Sequence, residues 1–151
     1  MRYPPSLNQY LASLYRFVLG MLIAMHGAST LFGVFGGSSG SGKSVSATQW
    51  PGGVAADLQF VFGILVMFGL FTRVSAVILS GTMAYAYFSV HQKVALLPLQ
   101  NGGEQAALFS WGFLIIAVIG AGPLALDALL ATVHGKTSAP PDTGSVSTSE
   151  A

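Results

Sequence analysis

Four stretches of this chain are long, apolar and almost free of charge. They are Phe17–Phe35, Val54–Thr72, Val74–Gln92 and Gln105–Leu126, and the only Asp, Glu, Lys or Arg among them is Asp57. Nineteen helical residues rise roughly 28 Å, close to the ~30 Å hydrocarbon core of a bilayer. The pattern therefore predicts an all-α integral membrane protein built as a four-helix bundle. Composition points the same way. Only 7% of the 151 residues are charged and 52% are hydrophobic, against about 25% charged in an ordinary soluble domain. A cleaved signal peptide is the competing reading of the first stretch, since Arg2 and Arg16 precede an apolar run. That run is longer than a typical signal core and continues through Leu31 and Phe32.

The net charge of +1 offers nothing to nucleic acid, and the chain has no cysteine, so disulfides, iron–sulfur ligation and c-type haem attachment are excluded. After the fourth stretch, Gly122-Pro123 is expected to break the helix, with a short amphipathic interfacial piece over Leu124–Val133. Residues 1–136 then form the membrane domain. Residues 137–151, rich in Ser, Thr and Pro, form a disordered tail. Arg2, Arg16, Arg73 and Lys136 fall on one side of the proposed bundle and Lys43 and Lys93 on the other. The positive-inside rule puts both termini in the cytoplasm, with the protein in the cytoplasmic (inner) membrane. Small residues recur at four-residue spacing, Gly20, Ala24 and Ala28 in the first span and Ala76, Ser80 and Ala84 in the third, where they let helices approach closely.

One motif points elsewhere. Gly37–Ser44 reads GSSGSGKS and satisfies the G-x-x-x-x-G-K-[ST] phosphate-binding pattern. Such a loop needs a strand before it and a helix opening after it, and here a membrane span precedes it and Trp50-Pro51 follows. It is expected to be a flexible connection and not a nucleotide site.

Polar residues at membrane depth are costly and usually face a bundle interior. His26, Gln59, His91, Asn101 and Glu104 all fall on the outer side and are the candidate lining of an outward-facing polar pocket. On the inner side, Arg16, Arg73 and Asp127 are candidates for structural ion pairs. No haem pair, metal spacing or catalytic triad is expected, and catalysis by this chain is not favoured. Quinone or lipid remain as ligands it could meet.

The runs MHGASTLFGVFGG (Met25–Gly37), GLFTR (Gly69–Arg73), AYF with His91, NGGE (Asn101–Glu104) and GAGPLALD (Gly120–Asp127) together resemble the DoxX family of small bacterial and archaeal membrane proteins. The resemblance implies a four-helix membrane bundle. It also implies a link to membrane redox assemblies, among them a quinol oxidase and a thiosulfate:quinone oxidoreductase, and to redox homeostasis. The chain departs from the family pattern twice: Thr30 stands where HGxxKLFG carries Lys, and Gln59 where a Glu is common. Losing both charges together avoids stranding one of them. It favours an accessory subunit of a larger redox complex over a self-sufficient quinone-linked oxidoreductase or small-molecule handler.

Overall fold

The computed structural model describes residues 6–130, which contain helices and connecting loops and no strand. Helix α1 runs over Leu7–Phe32, α2 over Gly52–Phe68 and α3 over Thr72–Ala86. A π-helical turn, Tyr87–His91, continues α3, and then come a short α4 at Pro98–Asn101 and α5 at Glu104–Ile119. A last helical segment begins at 126. The expected tail, Arg2 and Lys136 lie outside the described residues, as does the end of the expected interfacial piece.

Two of the helices, α1 and the continuous 20-residue Thr72–His91, are long and apolar enough to cross a membrane. The other two spans expected from sequence are shorter. Helices α2 and α5 have 17 and 16 residues, or about 25 Å of rise each.

The ends of the helices have local causes. Helix α1 starts ten residues earlier than expected because nothing between Leu7 and Phe17 breaks a helix. Its first turn is tied by the Ser6 amide donating to Gln9 Oε1 at 3.1 Å. Helix α2 stops at Gly69, which takes the left-handed conformation (φ 75°). The Gly69 and Leu70 amides then bond back to Val66 and Leu65 at 3.1 and 2.9 Å, so the last carbonyls of the helix are used. Helix α5 ends at Gly120 (φ 92°), short of the expected Gly122-Pro123 break.

Helix α1 packs along α2, α3 along α5, and α2 against α3, with a lighter contact between α1 and α5. The α1–α2 crossing is backbone on backbone. A Cβ on Gly20 would lie 2.5 Å from the Met67 nitrogen, and one on Gly27 would lie 2.6 Å from both the Ala56 oxygen and the Phe60 nitrogen. Gly20, Ala24 and Gly27 thus form a flat face on which α2 rests, which is the use of small residues where apolar burial gives helices little drive to associate. Between α3 and α5, Ser80 and Ser110 exchange hydrogen bonds, each hydroxyl donating to the other's carbonyl at 2.9 and 3.1 Å. Ile23, Val66, Leu79, Met83, Phe113 and Ile116 fill the centre.

Large apolar side chains cover the outside as well as the centre, and several polar ones are buried with them. Ser13, Arg16, Gln59, Thr72, Ser75 and Ser80 are buried, while Leu108, Trp111 and Val118 of α5 are 73%, 68% and 72% exposed.

Candidate functional site

The phosphate-loop sequence occupies the connection between α1 and α2, with α1 before it and two 3-10 turns, Val34–Gly36 and Ser38–Gly40, at its start. Its amides serve the loop itself. Ser38 donates to Lys43 at 2.8 Å and Gly42 to Gly36 at 2.7 Å, and Ser29 Oγ holds the Gly37 carbonyl at 3.0 Å. Gly37 is required here, because a Cβ would lie 2.6 Å from the Lys43 nitrogen and its φ is 70°. The glycines close a compact loop on its own backbone and leave no row of amides facing a phosphate.

The five polar residues expected to line a pocket do not share one. His26 is exposed on a shallow groove of about 260 Å³ that it shares with Ser29, Phe35, Gln105 and Phe109. Gln59 is 6% exposed, facing α3, where its amide donates to Met83 Sδ at 3.4 Å. Thr30 instead meets the loop, its carbonyl accepting from Val45 at 2.8 Å. The two positions that depart from the family pattern are therefore not hydrogen-bonded to each other. Glu104 is exposed in the first turn of α5, a favourable place for an acid beside the positive end of the helix.

His91 and Asn101 are brought together. The π turn closes with the Gln92 amide on the Tyr87 carbonyl at 2.9 Å, and His91 Nδ1 lies 3.1 Å from the Asn101 carbonyl. A carbonyl only accepts, so Nδ1 carries a proton in this contact. Asn101, 7% exposed, uses its amide on the Ala95 carbonyl at 2.9 Å and its oxygen on the Gly103 amide at 2.7 Å. Gly103 has no room for a side chain, since a Cβ would lie 2.8 Å from both His91 and Tyr87. The cluster ties the end of α3 to the start of α5. No group of three or more His, Cys, Asp or Glu among the described residues could hold a metal ion.

Arg16, Arg73 and Asp127 gather at one end, but the expected ion pairs do not form. Arg16 and Asp127 bind backbone instead. Arg16, 2% exposed, spreads its guanidinium over four carbonyls: Ala121 at 2.9 Å, Leu124 at 2.8 Å, Met67 at 2.6 Å, and Val66. Val66 and Met67 end α2, so the cation sits on the negative pole of that helix. Asp127 does the converse for α3. Its carboxylate oxygens accept from the amides of Phe71 at 3.2 Å and Thr72 at 3.4 Å, and its own amide donates to Gly69 at 3.1 Å. The α2–α3 turn, with Phe71 in the left-handed region (φ 46°), is clamped between two charges supplied by other parts of the chain. Arg73 lies with its guanidinium 3.4 Å from the place a Cβ on Gly120 would take. Ser13 was not foreseen: its hydroxyl accepts from the Leu124 amide at 3.4 Å and donates to the Gln9 carbonyl at 3.1 Å.

A helical protein with two candidate membrane spans and a clamped inter-helix turn is the class this geometry defines. The DoxX family profile matches residues 11–92, and the chain belongs to the DoxX family. An uncharacterized protein of Haemophilus influenzae is 36% identical over 125 residues, covering 78% of this chain and 89% of the relative. A second uncharacterized protein of the same organism is 32% identical over 81 residues, 54% of each chain. No solved structure matches.

Proposed function

We propose that this DoxX protein is a four-helix bundle embedded in the cytoplasmic membrane, serving as an accessory subunit of a larger redox complex without chemistry of its own. The observation that carries the membrane reading is the apolar exterior. Serines, Gln59 and Arg16 lie inside, and large aliphatic and aromatic side chains cover the outside. In water the apolar stripe of each helix would turn inward, and a continuous apolar exterior would drive aggregation. Helices α2 and α5 are short for a full span, and local thinning of the bilayer accommodates such a mismatch at modest cost. The accessory role is supported by the dispersal of His26, Gln59, His91 and Glu104, which gives no convergent site for a substrate, and by membership of the family.

The test is a gentle purification from native membranes. The chain should resist alkaline carbonate, require detergent, and co-migrate with cytochrome-bearing or other redox subunits on native electrophoresis. A band running alone would end the accessory reading and direct attention to the His26–Gln105 groove as the site of a small-molecule or quinone handler.

The same proposal places Arg16 and Arg73 on the cytoplasmic side and the 33–51 loop outside. The chain has no cysteine, so a single Ser41→Cys substitution reports the side directly. A membrane-impermeant maleimide should label it in intact cells. Labelling only after lysis would reverse the orientation.

A further inference from the structure

A groove of about 460 Å³ lies at the charged end of the bundle, between the first half of α1, the end of α2 and residues 123–129. Its walls are Leu14, Phe17, Met67, Phe68, Leu124 and Leu129, and Arg16 also lines it. A guanidinium has five N–H donors, and four of those on Arg16 are spent on carbonyls, leaving one on Nη2. A second cation is close by. Arg73 packs over Gly120, the residue before the Ala121 carbonyl that Arg16 binds, and is exposed with no hydrogen-bond or ion-pair partner among the described residues. The nearby carboxylate, Asp127, accepts from the amides of Phe71 and Thr72 and offsets one of the two cations, leaving a net positive charge. This end of the fold therefore combines an apolar trough with an excess of positive charge and unspent donors.

We propose that this groove seats an acyl chain of an anionic phospholipid, with the lipid phosphate held by the exposed Arg73 guanidinium beside it. The inference rests on the bilayer location argued above. Helix ends bearing arginines lie at the depth of the lipid phosphates, and cations there attract anionic headgroups. A zwitterionic lipid offers the same chain and phosphate, but its own ammonium offsets the attraction.

The experiment uses the full chain purified in mild detergent. Equal amounts of phosphatidylglycerol and phosphatidylcholine with identical acyl chains are added, and retained lipid is read by native mass spectrometry. One phosphatidylglycerol should be kept in preference, by about fivefold for one effective surface arginine. Arg73→Gln should bring the preference close to unity. Leu14→Trp, at a position 57% exposed, should fill the groove and remove the retained lipid without moving the melting temperature. Val90→Trp at the opposite end should change neither. Equal retention of the two lipids by the unaltered protein, or undiminished retention by Leu14→Trp, would overturn the proposal. A chain that stays in solution without detergent would refute the bilayer reading itself. One that needs detergent yet shows no preference refutes only the lipid site.

Discussion

Arg16→Met should be the most damaging single substitution in this chain, lowering stability in detergent by several kcal/mol, at about 1–3 kcal/mol for each buried acceptor left without a donor. The methionine fills similar volume but leaves the carbonyls of Val66, Met67, Ala121 and Leu124 without the donor they now share. Arg16→Lys keeps the charge and should recover only part of the loss, because three donors on a single nitrogen cannot reach four carbonyls spread around a planar fork. Asp127→Ala removes the cap from α3 and should cost about 1 kcal/mol, in the range of an ordinary N-cap. Thermal unfolding followed by circular dichroism in one detergent ranks all three. A Lys variant as stable as the parent would show that charge alone, and not the fork, holds this end of the bundle.

Gly27→Val should give the second largest effect, acting through helix separation and not through a lost bond. The new Cβ would be placed 2.6 Å from the Ala56 oxygen and the Phe60 nitrogen. These are backbone atoms of α2, so no side chain can rotate away. The helices must part, at a cost of about 1–3 kcal/mol or more for overpacking of this kind. Gly81→Val makes a matched control, because nothing lies within 4 Å of a Cβ built there. If both variants melt alike, the close α1–α2 crossing does not contribute to stability as argued.

Much of this arrangement can be read from the chain, and the limits have physical causes. The apolar stretches give the number of long helices and the starts of α2, α3 and α5 to within two residues, since a lapse in charge over that length leaves few alternatives. Of the Gly20, Ala24 and Ala28 stripe, the first two lie on the α1 face that meets α2, and Gly27 takes the place expected for Ala28. Arg16 is recognisable as important but misplaced by hydropathy, which treats an arginine as the boundary of a span. In the fold it lies in the middle of α1, tolerated because four carbonyls from distant segments surround it. The outer residues fail as a pocket for a different reason. Depth along a span follows from its ends, but direction around the axis does not when nearly every face is apolar. Gln59 therefore turns toward Met83, while His26 is exposed on a groove beside Gln105. The π turn and α4 leave no periodic signal at all, being five and four residues long.

The span between Arg16 and its partners also bears on biogenesis. Two of the four acceptors lie 105 and 108 positions later in the chain. During vectorial synthesis the guanidinium emerges long before Ala121 and Leu124 exist to receive it. An incomplete chain therefore carries an unsatisfied cation in the middle of its first helix, and only a chain that has reached residues 121–124 can silence it. One arginine thus makes the closure of the fold wait for the segment that follows α5.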